Sequence, residues 1–255
     1  MTTGSYAHVN GLDLYYEEHG STTGRPLVVL HGGLLTVELC FGTLLPALTR
    51  GRRVIAPELQ GHGHTRDTDR PYRIDLLAAD VLALLDRLGV ERTDVLGFSL
   101  GGYAALQLAL DHPERVDHLV LASVNYRPDG YHEEIHASGL PSGSTRLPTP
   151  EDFAEMRAAH LAVSPEPEHF DAFHTKVSDA VAAFGGWPAE RLRTLRAPTL
   201  LVVGDHDFVR LDHAVEMYEL IPDARLAVLP RTTHMDVMRR TTLLAPLLEG
   251  FLPAG

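Results

Sequence analysis

The chain has one cysteine, Cys40, in 255 residues. An internal disulfide is thereby excluded, as is a metal centre built from several thiolates, and a reducing compartment is the expected setting. Basic residues are scarce beside acidic ones: 22 Lys and Arg stand against 34 Asp and Glu, a formal net charge of −12. Such a field repels phosphate backbones and anionic lipid surfaces, so neither nucleic acid nor membrane is an expected partner. No apolar run approaches the roughly 20 residues that a bilayer span requires. Met1-Thr2-Thr3-Gly4-Ser5-Tyr6 lacks a basic start leading into an apolar stretch, and together these absences predict a cytoplasmic protein. Internal repeats and low-complexity segments are lacking too, which leaves a single large α/β domain as the expectation for this length.

What is present is a strand and helix rhythm. Residues 6–9 and 12–18 alternate polar and apolar around Asn10-Gly11, a dipeptide suited to a tight hairpin, so an antiparallel sheet edge is predicted at the N-terminus. Leu27-Val28-Val29-Leu30, Val54-Ile55-Ala56, Val95-Leu96-Gly97, Leu119-Val120-Leu121 and Leu200-Leu201-Val202-Val203 are short continuous apolar runs, the pattern of parallel strands covered on both faces. Between them Leu77, Val81, Leu84, Leu85 and Leu88 recur at helical spacing, with Asp75 as the expected N-cap and Gly89 as the stop. Further helices are predicted over Leu100–Asp111, ended by Pro113, and over 213–221 and 239–250. The alternation gives a mostly parallel, doubly wound sheet. Residues 124–193 break it: prolines and glycines are frequent, and helical periodicity is weak around 151–162 and 168–184. This stretch is predicted to be an inserted helical cap over the C-terminal edge of the sheet, with 1–123 and 194–255 as the core, and it would roof a pocket there.

The chemistry is announced by Gly97-Phe98-Ser99-Leu100-Gly101, which follows an apolar run and leads straight into a helical stretch. A serine at a sharp strand-to-helix turn takes an uncommon backbone conformation and needs small neighbours, which Gly97, Gly101 and Gly102 supply. The helix that follows aims unpaired amides at the reaction centre, so the amide of Leu100 is one expected donor to an oxyanion. A free hydroxyl is a poor nucleophile near neutral pH. Ser99 therefore needs a base, and the base needs a carboxylate to fix its tautomer.

His31-Gly32-Gly33, Gly61-His62-Gly63-His64-Thr65, the pentapeptide around Ser99, Gly204-Asp205-His206-Asp207 and Thr233-His234-Met235 occur in the order seen in the α/β-hydrolase superfamily, which the chain resembles over nearly its whole length. The resemblance implies His234 as the base and Asp207, three residues past Gly204, as the acid. Asp205 competes with Asp207, and a rarer arrangement would use Asp129. The resemblance also implies Gly33 as the second oxyanion donor, with Leu34 as the neighbouring alternative and a further candidate for substrate contact. Gly61-His62-Gly63-His64-Thr65 is assigned structural work.

Two other features carry weaker expectations. His132-Glu133-Glu134-Ile135-His136 matches a zinc-binding pattern, yet Gly and Pro flank it closely and no third ligand has a motif-like spacing, so no metal is expected. Trp187, the only tryptophan, is a candidate for the pocket wall, with anchoring of the cap as the alternative. The expectation as a whole is a cofactor-free serine hydrolase cleaving a small-molecule ester, lactone or related activated carbonyl through an acyl-enzyme. Carbon-carbon bond hydrolysis, lyase, acyl-transfer or peroxide chemistry and a non-catalytic ligand receptor remain as alternatives, and oligomeric state is not specified.

Overall fold

The computed structural model describes residues 3–135 and 144–253. Strand β1 (Thr3–Val9) turns into β2 (Leu12–Gly20) through Asn10 and Gly11, whose φ values of 50° and 79° are the paired left-handed conformations of a tight hairpin. Then come β3 (Arg25–Leu30), two short helices α1 (Val37–Phe41) and α2 (Leu45–Leu48), β4 (Arg52–Pro57), α3 (Ile74–Arg87), β5 (Thr93–Phe98), α4 (Leu100–Asp111) and β6 (Val116–Ala122). The chain continues through α5 (Pro150–Val163), α6 (Phe170–Ala183), the short α7 (Ala189–Leu192), β7 (Thr199–His206), α8 (Leu211–Leu220), β8 (Ala224–Thr233) and α9 (Thr241–Phe251). No helix among the described residues is long and apolar enough to cross a membrane.

One sheet of eight strands runs β1-β2-β4-β3-β5-β6-β7-β8, antiparallel at β1/β2 and β2/β4 and parallel from β4 onward. The expected mostly parallel sheet with an antiparallel N-terminal edge is thus observed. Period-two geometry explains the unbroken apolar runs. Val28 and Leu30 point to the face packed by α3, α4 and α8, while Leu27 and Val29 point to the face packed by α1, α2 and α9. Leu119 and Leu121 against Val120 and Ala122 repeat the alternation on β6.

One helix boundary differs from expectation. Helix α3 starts one residue earlier than Asp75, and its N-cap is Arg73, whose guanidinium reaches forward to the Asp75 carboxylate in the first turn. Its end follows expectation: Gly89 has φ +65°, and Val90 N–H donates to Leu85 O at 2.9 Å, closing the helix through a left-handed glycine. Between β6 and β7, the two 14-residue helices α5 and α6 carry the residues around 151–162 and 168–184. Helix α5 opens on a reciprocal cap, Thr149 Oγ1 accepting from Asp152 N–H while the Asp152 carboxylate accepts from Thr149 N–H.

Candidate active site

At the C-terminal end of β5 the chain reverses through Ser99 with φ 51° and ψ −117°, an energetically costly conformation for a residue with a side chain. Close packing holds it there. A Cβ on Gly97 would lie 2.5 Å from Gly101 O, and one on Gly101 would enter the carbonyls of Leu30 and His31, so strand, turn and helix can approach only through glycine. Ser99 N–H donates to Ala122 O at 2.9 Å, tying the turn to the neighbouring strand β6.

The side chain of Ser99 meets His234, which lies just beyond β8: Oγ and Nε2 are 3.0 Å apart. On the far side of the ring, Nδ1 is 2.7 Å from Asp207 Oδ1, just beyond β7. Ser99, His234 and Asp207 are therefore brought into one hydrogen-bonded chain. Phe208 stacks on the His234 ring at 3.9 Å and 6°, and Phe98 packs at 5.0 Å, so the imidazole has little freedom to turn.

Asp207 is fully buried and surrounded by donors. Its Oδ1 also accepts from Phe208 N–H at 2.6 Å, and its Oδ2 accepts from Ser123 Oγ at 2.5 Å and Gly204 N–H at 3.2 Å. Burial pushes the carboxyl up, but the His234 ring and these hydrogen bonds outweigh it and hold the group below the ordinary carboxylate value. The two competing acids are elsewhere. Asp205 accepts from Arg231 and Thr232 N–H at 2.9 Å each, bracing the end of β8, and Asp129 pairs with the Arg127 guanidinium at the surface.

The loop after β3 carries both candidate amides, those of Gly33 and Leu34. Leu34, with φ +63°, donates its N–H to His62 Nε2 at 3.0 Å, so that amide is already committed. Of the two, the Gly33 amide is the one that does not make this bond to His62. The peptide that carries the Gly33 N–H is fixed from its other edge, because Gly32 O accepts from His31 Nδ1 at 2.8 Å and from Leu35 N–H at 3.3 Å.

A cavity of about 400 Å³ opens over Ser99 and His234. Gly33, Leu34, Leu35 and Phe98 form its floor, and Phe153 and Met156 of α5 with Val177 and Val181 of α6 contribute to its wall. Leu34 is thus placed at the cavity. Trp187 is not. Its ring sits behind the wall against Phe184 and Tyr103, and its indole N–H is spent on Gln107 Oε1 at 2.8 Å, so it anchors rather than lines. In the zinc-like pattern, Glu133–Ile135 form a 3₁₀ turn and His132 N–H donates to Phe208 O, while His136 lies outside the described residues. Among the described residues, no group of three or more His, Cys, Asp or Glu side chains is placed to hold a metal ion.

Sequence reasoning missed Ser123 and Phe208. Ser123 follows β6 with φ +57° and is fully buried, and a polar residue directly after the apolar run Leu119–Ala122 is the one signal that pointed to it.

Comparison with known proteins agrees with this architecture. Residues 25–140 match the family model of the alpha/beta hydrolase fold. The chain is 31% identical to the putative carbamate hydrolase RutD of Azorhizobium caulinodans, covering 96% of this chain and 97% of that one. It is 27% identical to the 2-hydroxy-6-oxo-2,4-heptadienoate hydrolase of Pseudomonas putida, covering 92% of each. A solved N-acyl homoserine lactone degrading enzyme superposes with a TM-score of 0.77 at 29% identity, over 97% of this chain and all of that one. The protein belongs to the α/β-hydrolase fold family, and its relatives support a hydrolase.

Proposed function

We propose that the protein is a serine hydrolase acting on a neutral carboxylic ester or lactone of a small molecule. Ser99 Oγ attacks the carbonyl carbon as His234 Nε2 takes its proton, and the Gly33 and Leu100 amides receive the negative charge on the carbonyl oxygen. Asp207 keeps the proton of the imidazole on Nδ1 and stabilises the imidazolium. His234 then protonates the leaving alkoxide. Water, deprotonated by the same ring, releases the acid and restores Ser99. Residues 124–193 act as the cap, setting which acyl groups fit.

The single observation carrying this reading is the hydrogen-bonded chain from Ser99 through His234 to Asp207 at the base of an apolar cavity. A charged substrate is disfavoured by the same wall. Arg127 is its only Lys or Arg among the described residues, and its guanidinium is already held by Asp129 at 2.6 Å and Glu216 at 2.9 Å. Residues 136–143 add none, reading His-Ala-Ser-Gly-Leu-Pro-Ser-Gly. A dienoate carboxylate, as in the name of the Pseudomonas putida relative, would therefore enter without a counter-ion, at a desolvation cost that an ester or lactone avoids.

The test is a panel of p-nitrophenyl esters of graded length with aliphatic lactones, run beside Ser99→Ala and a fluorophosphonate label. Turnover lost in the variant, with labelling at Ser99 alone, is the expected result. Undiminished turnover in Ser99→Ala overturns the assignment, and labelling without multiple turnover on any substrate points to a receptor instead.

A further inference from the structure

His62 makes no contact with Ser99 or His234, yet it is a fully buried polar side chain one loop away from them. Its two ring nitrogens have opposite duties. Nδ1 faces Gln60 O at 3.0 Å and must carry the proton, which leaves Nε2 as the acceptor for Leu34 N–H. Burial, with the His31 ring beside it, pushes His62 well below the ordinary imidazole value, so the ring stays neutral and the acceptor persists. Leu34 needs such a partner: φ +63° is a left-handed conformation that costs a residue with a side chain about 1–3 kcal/mol. Without it, the 33–34 peptide is free to rotate toward an ordinary φ.

We propose that His62 is a positioning residue for the oxyanion hole, holding the Leu34 amide so that the adjacent Gly33 amide is the one presented to the substrate oxygen. This rests on the hydrolase reading above. The ring is itself seated by the α6 helix. Phe173 meets His62 edge to face at 4.8 Å, and its ring lies so close to Gly61, where φ is +75°, that a Cβ there would be inside it. A side chain of the helical segment that roofs the cavity thus reaches the oxyanion loop through His62. The loop after β4 grips the same stretch at two further points: Glu58 Oε1 accepts from Val37 N–H at 3.1 Å, and Leu59 N–H donates to His31 Nε2 at 3.0 Å.

The test compares His62→Met, which fills the space without an acceptor, with His62→Gln, which keeps one. Each is measured for kcat, KM, and inhibition by a trifluoromethyl ketone, which forms a tetrahedral oxyanion on Ser99, and by the matching unreactive ether. His62→Met is expected to lose about ten- to a hundredfold in kcat, a fraction of what deleting a donor costs. KM and ether affinity should hold within twofold while trifluoromethyl ketone affinity falls in step with kcat. His62→Gln should recover most of both. Unchanged kcat in folded His62→Met overturns the proposal, as does a parallel weakening of the ether. If His62→Met does not fold, His62→Gln decides alone: oxyanion-selective inhibition kept near the parent value supports the proposal, and its loss in a folded protein overturns it. Ser99→Ala separates the two readings, since turnover surviving there defeats the hydrolase assignment whatever His62 does.

Discussion

Asp207→Asn is the sharpest perturbation of the candidate site, because five donors constrain how the new amide can sit. On the Oδ1 side are His234 Nδ1, Phe208 N–H at 2.6 Å and Val209 N–H at 3.4 Å; on the Oδ2 side are the Ser123 hydroxyl and Gly204 N–H at 3.2 Å. A backbone amide cannot reverse, whereas a hydroxyl can rotate and accept. The NH₂ group therefore turns toward Ser123, where the remaining backbone donor is the more distant Gly204. The amide oxygen stays on His234, and the tautomer survives. What disappears is the negative charge facing the imidazolium, worth about 4 kcal/mol at ~4 Å and an effective dielectric of ~20. That converts to about a thousandfold in kcat. Saturating kinetics on a p-nitrophenyl ester, with active sites counted by phosphonate and folding checked by thermal melting, measure it. Asp205→Asn serves as the control and should stay within threefold, because Asp205 accepts from Arg231 and Thr232 N–H at the end of β8, away from His234. A loss under tenfold in Asp207→Asn, or a larger loss in the control, refutes the reasoning about the acid. A loss of about 10⁴ or more would mean that the tautomer inverted and the donor argument failed.

Further outcomes follow from neighbouring features. Ser123→Ala removes a hydrogen bond to a buried carboxylate and should lower stability by about 1.5–3 kcal/mol in urea unfolding, with a smaller kcat loss than Asp207→Asn; equal stability would show the 2.5 Å contact to be inconsequential. Burial lowers the values of His31, His62, His160 and His213, the last to about 4, so below the ordinary value of about 6.5 the unfolded chain binds these protons and the folded chain does not. Stability must then fall as pH drops through that window, by up to about 1.4 kcal/mol per unit for each group, and urea midpoints that stay level between pH 7 and 5 would contradict this. Gly101→Ala drives a methyl into two fixed carbonyls and should cost about 3 kcal/mol or more, whereas Gly250→Ala, in α9 with open space around it, should be neutral or gain up to about 1 kcal/mol; thermal melts of the pair decide.

The parallel strands were legible because both faces are covered, so alternate residues such as Val28 and Val29 are apolar for different cores yet read as one run. Short helices α1, α2 and α7 were not, since four or five residues complete barely one turn and show no period. Asp75 misled because a good capping residue type sits inside the first turn, bonded back to Arg73. Ser99, His234 and Asp207 could be found because each follows a strand end, with the family resemblance choosing between Asp207 and Asp205. Ser123 left only a faint trace, a polar residue after an apolar run, and His62 none, because their work lies in bonds to residues 84 and 28 positions away. Trp187 shows the limit of residue type: a lone large ring suggests a pocket, but its N–H partner on α4 decided its place.

Each residue of the proposed machinery follows a different strand: Gly33 after β3, Ser99 after β5, Asp207 after β7 and His234 after β8, with Ser99 and His234 135 positions apart. No fragment of the chain contains a weak version of the machinery that the rest improves. Strand β8, last in sequence and at the border of the sheet, leads into His234, the proposed base. During refolding, then, helical signal and compaction will return before any turnover, and the first detectable product will time the docking of that final strand.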